Sequence, residues 1–304
     1  MVFKIIGMIA VYNEPDIIGD VIHHLVSQGI QLVILDNSTD GSDEILSKYP
    51  GRGVLSVEHL ATERYDMDLL INRMYEKAVS ERPDWVLLND SDLFLESPYA
   101  GISLKDAIES EDKKGYNMIQ FDNFEFLPTE KDENSNEIDV RKRLKYYTWN
   151  DNLRFLAWKP YPGITVTGTS WHYPVFPENV KVRVPRTKYI MRHYRIRSYQ
   201  QGLQKVFSER LPRFPEDLRR KGMLVQYDNF ERDKKFFVIN SDNLNKYNDD
   251  GKWIRMKKFD LSWGRSSIPW AKPPVTSLRE RISSTRFARR VAKALILKRK
   301  TLPT

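Results

Sequence analysis

The N-terminal third of the chain alternates short apolar runs with helical repeats. Phe3 to Val11 is apolar and bounded by polar residues, as a strand covered on both faces requires. Pro15 then sits at a first helical position, and Ile17, Ile18, Val21, Ile22, Leu25 and Val26 recur at helical spacing up to Gly29. His23 and His24 fall on the opposite, solvent-facing side of that helix. Gln31 to Leu35 predicts a second strand, Asp43 to Tyr49 a short helix and Gly53 to Val57 a third strand. A helix through Leu69, Leu70, Met74 and Ala78 follows, and then a fourth strand, Trp85 to Leu88. Strands alternating with helices at this interval imply right-handed crossovers and a largely parallel sheet.

Each of these strands ends in polar residues. Tyr12-Asn13-Glu14 closes the first, Asp36-Asn37-Ser38 the second, His59 to Arg64 follows the third and Asp90-Ser91-Asp92 the fourth. Open sheets bind ligands beyond the carboxyl ends of their strands. In an extended chain Asp90 and Asp92 project to one side, and two such carboxylates repel unless a cation lies between them. Hard divalent ions such as Mg²⁺ or Mn²⁺ favour that oxygen pair.

Farther along, a helix from Leu104 to Glu111 leads into a strand, Asn117 to Phe121, with Asp122 and Glu125 at its end. Lys131 to Glu137 reads as a charged loop. Nine aromatic residues lie between Tyr146 and Phe176, most of them core and one or two available to stack on a ligand. Tyr189 to Arg197 predicts a strand with His193, Arg195 and Arg197 facing one way, and Ser198 with Gln201 forms a capping box that starts another helix.

Composition narrows the class. With 40% hydrophobic and 30% charged residues the chain is globular, and the absence of cysteine removes disulfides and thiolate chemistry. No apolar run is long enough to span a bilayer, so a cytoplasmic protein is expected. The net charge of +8 is uneven: residues 251–304 carry 15 Lys/Arg against two acids, which leaves the remainder mildly acidic. Within that tail Phe287, Ala288, Val291, Ala294 and Leu295 gather on one side of a helical wheel and Arg286, Arg289, Arg290 and Lys293 on the other. A basic amphipathic helix from about Ser277 onward suits the surface of an anionic membrane, which would make the protein peripheral on the inner membrane face. Packing of this helix on the catalytic body is the plainer alternative, and nucleic acid is the weaker one. The expected organisation is a catalytic domain over 1–200, a helical extension packed on it over 201–250, and the basic tail over 251–304.

The first strand lacks the Gly-x-Gly-x-x-Gly of a dinucleotide fold, and no phosphate-binding P-loop occurs. Ala10-Val11-Tyr12-Asn13-Glu14, Leu35-Asp36-Asn37-Ser38-Thr39-Asp40-Gly41-Ser42 and Asp90-Ser91-Asp92 together resemble glycosyltransferase family 2, with the GT-A fold. Gly168-Thr169-Ser170-Trp171-His172 and His193-Tyr194-Arg195-Ile196-Arg197-Ser198 are similar to elements of a bacterial subgroup of that family. The resemblance implies an α/β GT-A fold, a nucleotide-binding half followed by an acceptor-side half, and transfer of a sugar from a nucleotide-diphosphate donor to an acceptor hydroxyl on a glycan or lipid-linked acceptor, with inversion. It implies a divalent metal on Asp92 and His193, with Asp90 on the metal or the donor ribose. Tyr12 and Asp36 would receive the nucleobase, with Asn37 beside them, and Asn13 and Glu14 the ribose. Ser91 belongs to the same donor site, and Arg64 with Arg195 or Arg197 would neutralise phosphate. For the general base the candidates are His172, then Asp122 and Glu125. Glu216-Asp217 falls too late in the chain to be the family's Glu-Asp base motif. Other classes are a haloacid-dehalogenase-like phosphotransferase, whose Asp-x-Asp follows the first strand, and a non-catalytic nucleotide- or partner-binding protein on the same scaffold.

Overall fold

In the computed structural model, described over residues 2–133, 135–166, 174–220, 227–228 and 230–259, nine strands form one mixed sheet. In chain order these are β1 (Ile5–Val11), β2 (Gln31–Asp36), β3 (Val54–His59), β4 (Trp85–Asp90), β5 (Leu93–Glu96), β6 (Met118–Phe126), β7 (Tyr146–Trp158), β8 (Tyr189–His193) and β9 (Asn245–Lys246). The helices are α1 (Ile18–Ser27), α2 (Ser42–Leu46), α3 (Met67–Ser80), α4 (Leu104–Lys113), α5 (Val140–Arg143), α6 (Tyr199–Leu203) and α7 (Glu216–Arg220). A π-helix, Gln204–Arg210, and a 3₁₀ turn, Leu211–Arg213, continue directly from α6.

The strand order is β3-β2-β1-β4-β7-β6-β8-β5, with β9 paired to β7. β1 to β4 are parallel to their neighbours in that set, while β7 runs antiparallel to both β4 and β6 and β5 antiparallel to β8. The α/β expectation holds, with a parallel half followed by a mixed one. Alternation explains why β1 to β4 read as continuous apolar runs. Ile5, Ile9, Leu32, Trp85 and Leu87 meet α1 and α4 on one face, and Ile6, Met8, Val33, Val86 and Leu88 meet α3 on the other. Each buried aliphatic side chain contributes about 1.5–3 kcal/mol. Gly7 lets β1 and β2 close up, since a Cβ there would stand 2.7 Å from Leu32 Cδ2.

Sequence order reverses between β1 and β4, so the residues after these two strands flank the crevice where open sheets take ligands. Several expectations change in detail. β6 continues to Phe126, which draws Asp122 and Glu125 into the strand. β7, thirteen residues long, carries no clear alternation around Trp149-Asn150-Asp151-Asn152 and was not predicted. β8 stops at His193. His24 is buried rather than solvated, with Nε2 2.9 Å from the Leu95 carbonyl, and burial lowers its pKa. Residues 251–259, assigned to the tail, lie on the sheet: Trp253 stacks on Tyr247 at 4.5 Å, and Arg255 Nε is 2.7 Å from Asp122 Oδ2. The predicted helix over 286–295 lies outside the described residues. No helix among the described residues is long and apolar enough to cross a membrane.

Candidate active site

The loop after β1 is tied to the loop after β2. Asn13 adopts a left-handed φ of 53°, donates its N–H to Ser38 Oγ at 3.1 Å and accepts the Thr39 N–H at 2.8 Å. Its side chain thus joins the two loops. Glu14 is buried completely. Its Oε2 lies 2.6 Å from Arg197 Nη2, and its Oε1 lies 2.6 Å from Lys205 Nζ and 2.9 Å from Arg210 Nη2. This departs from a ribose ligand, because three cations already use the carboxylate.

Asp90 ends β4, but Ser91 and Asp92 form a turn rather than continuing the strand, so alternation does not set Asp92 beside Asp90. The pairing of Leu93 with His193 across β5 and β8 carries Asp92 elsewhere: its Oδ1 lies 3.3 Å from His193 Nε2. The other imidazole nitrogen, Nδ1, lies 2.7 Å from Glu125 Oε2, and Arg195 Nε stands 3.2 Å from Glu125 Oε1. All three members of the Asp92, His193, Glu125 row are buried. Burial pushes Asp92 up, but the Lys205 ammonium and His193 outweigh it and hold the carboxyl well below the usual range. Burial likewise raises Glu125 while Arg195 and His193 bring it down. For His193 burial lowers and the two carboxylates raise, with a net rise. Asp90 acts from the strand end on Arg154, whose guanidinium burial lowers to about 10 while Asp90 opposes the shift.

Arg195 is committed to Glu125, and Arg197 to Glu14, Asp16 and the Tyr194 carbonyl. Both guanidinium groups are thus engaged in ion pairs. Arg64 is exposed in the loop between β3 and α3. The cations that meet the residues after β1 and β4 come from the segment after α6, which sequence reasoning did not assign to the site. Lys205 Nζ bridges Glu14 and Asp92, at 2.8 Å from Asp92 Oδ2. In an α-helix residues five apart diverge by about 140°. The i→i+5 winding of 204–210 brings Lys205 and Arg210 to one carboxylate instead. No helical period in the sequence flags that pair.

Tyr12 is half-buried beneath two guanidinium groups, Arg213 at 3.7 Å and Arg210 at 5.1 Å from its ring centroid. Arg213 also donates to the Thr62 carbonyl at 2.6 Å and to Asn37 Oδ1, and Asn37 Nδ2 donates to the Leu60 carbonyl. Asp36 is buried, accepts the Ser38 N–H at 3.0 Å and pairs with the half-exposed His59 ring at 2.9 Å. Tyr12, Asn37, Asp36 and His59 thus form one wall at the ends of β1, β2 and β3. Ser91 is buried in the turn before Asp92.

Of the base candidates, Asp122 is not at this site. Its oxygens meet Lys188 at 3.0 Å and Arg255 at 2.7 Å, among the residues that receive the 251–259 segment. Glu125 is at the site but stands behind His193, held by two cationic partners. His172 lies outside the described residues, as do Gly168 to Trp171.

Among the described residues no three His, Asp or Glu side chains converge on one point. Asp92 and His193 nonetheless offer an oxygen and a nitrogen 3.3 Å apart, a separation at which both can touch one small dication. Glu125 Oε2 stands 2.7 Å from the far nitrogen, the position from which a carboxylate supports a metal-bound histidine. Two protein ligands of this kind fit a divalent ion that takes its other ligands from phosphate and water. Asp90 is not part of that pair.

Solved structures similar to the chain include S. aureus TarS 1-349, at 16% identity over 77% of this chain and 74% of that one, with a TM-score of 0.40. They also include a mannosyltransferase from Pyrobaculum calidifontis in complex with GDP-Man and Mn²⁺, at 17% identity over 39% of this chain and 35% of that one, with a TM-score of 0.31. A longer S. aureus TarS matches at 20% identity and a TM-score of 0.31, and the chain covers 23% of its length. The chain thus spans about a quarter to a third of the first two structures it matches. No curated protein matches it. The family model of Glycosyl transferase family 2 matches residues 8–148. That match runs from within β1 to the first residues of β7.

Proposed function

We propose that the protein is a nucleotide-sugar-dependent glycosyltransferase. It moves a sugar from a nucleoside-diphosphate donor to the hydroxyl of a glycan or lipid-linked acceptor with inversion, and requires a divalent metal, Mn²⁺ or Mg²⁺. The observation that carries the reading is the Asp92, His193, Glu125 row with Lys205, Arg210 and Arg213 gathered beside it, next to strands that fall within the residues 8–148 matched by the family model. That the mannosyltransferase is described with GDP-Man and Mn²⁺, and a TarS structure with UDP, is in keeping with it.

In this reading the wall of Tyr12, Asp36 and Asn37 receives the nucleobase, and Tyr12 with Arg213 offers a flat surface for it. Asp90 and Ser91 meet the donor ribose. Arg210 and Lys205 face the diphosphate, where charge-assisted hydrogen bonds neutralise the charge that grows as the glycosidic bond breaks. Asp92 and His193 hold the metal, which when bound supplies Lewis-acid stabilisation of the same leaving diphosphate. Glu125 keeps His193 in the tautomer that presents Nε2. Inversion needs a base on the acceptor side, and His172 is the candidate for it, since Asp122 and Glu125 are both held in ion pairs. The basic stretch from Ser277 onward would tether the enzyme to an anionic membrane. Co-sedimentation with anionic liposomes, with and without residues 277–304, checks that part.

The test of the reading is a panel of nucleoside-diphosphate sugars incubated with the protein and Mn²⁺, read as release of nucleoside diphosphate and as thermal stabilisation. Metal-dependent release with one donor, lost in Asp92→Asn, is expected. No stabilisation and no release across the panel would overturn it.

A further inference from the structure

Lys205 is 3% exposed, and its ammonium stands between two carboxylates, 2.6 Å from Glu14 Oε1 and 2.8 Å from Asp92 Oδ2. Both oxygens of Asp92 are thereby engaged, one by Lys205 and one facing His193. The ammonium is not a loose surface charge that a metal could brush aside. It extends from the π-helix, the same winding fixes Arg210 on Glu14, and Glu14 is anchored again by Arg197. We propose that Lys205 is a resident counter-cation of Asp92, which suppresses metal binding to the donor-free site and is outweighed only when a nucleoside diphosphate arrives with its own negative charge. The inference rests on the metal-dependent reading above and adds to it a residue that sets when the metal enters.

The charge balance argues for it. Asp92 and Glu125 are the carboxylates beside His193, and they already face Lys205 and Arg195. A dication approaching Asp92 and His193 meets a fixed positive charge one carboxylate away, in a buried place where Coulomb repulsion is only partly screened. A diphosphate reverses the local sign and supplies oxygen ligands as well. A purely structural ion pair would have a different signature, because losing it would disorder Asp92 and weaken the metal.

The experiment is a Mn²⁺ titration followed by electron paramagnetic resonance on the full chain, comparing wild type, Lys205→Met and Lys205→Arg, first without nucleotide and then with saturating UDP or GDP. Without nucleotide, Lys205→Met should bind Mn²⁺ about tenfold or more tightly than wild type, on the order expected for removing one adjacent charge. Lys205→Arg should remain close to wild type. With nucleotide the gap should narrow. Nucleotide-free affinity that is equal or weaker in a folded Lys205→Met, checked by circular dichroism, overturns the proposal. Lys205→Gln, which keeps a hydrogen-bond donor, carries the same comparison if the methionine variant does not fold. Failure of wild type to bind Mn²⁺ with either nucleotide would count against the metal-dependent reading, and the nucleotide-free comparison would still decide the role of Lys205.

Discussion

Asp92 and His193 are 101 positions apart in sequence and lie 3.3 Å from each other because β5 and β8 pair Leu93 with His193. The residue after Asp92 fixes the register, so the contact is a product of the sheet and not of a local motif. This relationship has consequences that can be measured.

Asp92→Asn should reduce transfer at least about a hundredfold, since it removes an anionic ligand at the point where leaving-group charge is balanced. Asp92 is buried against Lys205, so the change also costs stability, up to about 3 kcal/mol, although Lys205 keeps Glu14 as a partner. Steady-state rates with Mn²⁺ and a urea melt read the two effects separately. Wild-type turnover in the variant would remove Asp92 from the mechanism.

Glu125→Gln removes the anion beside His193 Nδ1 and should weaken Mn²⁺ affinity about 10- to 100-fold, while loss of the buried pair with Arg195 costs about 3–5 kcal/mol of stability. Calorimetric titration in the presence of nucleotide measures it. Unchanged affinity would mean that Glu125 serves only to hold Arg195.

The pH dependence has a defined sign. His193 is raised above 6.5, so its contribution to stability is complete below that value and is lost as pH rises through the folded-state pKa. Asp92 and Glu125 are lowered, so theirs is present above the ordinary carboxylate range and is lost as pH falls through their folded-state values. The metal-free protein should therefore melt highest in weakly acidic buffer. Because the metal displaces the proton on His193, Mn²⁺ affinity should rise by up to about tenfold per pH unit until that pKa is passed. An affinity independent of pH between 6 and 8 would exclude His193 as a ligand.

Glu14→Gln should destabilise the protein more than Asp16→Asn. Glu14 is the shared partner of Arg197, Lys205 and Arg210 with no exposure, whereas the Asp16 side chain is 46% exposed. Breaking a buried ion pair costs about 3–5 kcal/mol and an exposed one under about 1 kcal/mol. Thermal melts of the two variants side by side give the comparison, and equal shifts would contradict it.

Tyr12→Ala should weaken binding of the donor's nucleoside diphosphate about tenfold while leaving Mn²⁺ binding by the protein alone unaltered. The ring lies under Arg213 at 3.7 Å, whereas the proposed metal ligands are Asp92 and His193. A thermal-shift titration with UDP and GDP is sufficient to check it.

The sequence by itself determined the parallel half of the sheet and its functional edge. Apolar runs of strand length between amphipathic helices admit few other arrangements, and the polar residues at their carboxyl ends had to lie together once the strands were parallel. Asp92, His193 and Glu125 were legible as candidate-site residues from their places near strand ends and by resemblance. What each of them touches was decided only by tertiary structure. The turn at Ser91 and Asp92 breaks the alternation that would pair Asp90 with Asp92, and a strand pairing a hundred residues away supplies the histidine instead. Glu14, Arg195 and Arg197 read as donor ligands because acids and arginines at strand ends commonly are, but in the fold Arg197 pairs with Glu14 and Arg195 with Glu125, since a buried charge without a counter-charge is too costly to keep. Lys205 and Arg210 were invisible for a related reason. Their common face exists only in a π-helical winding, and packing around Glu14, not any period in the sequence, selects that winding.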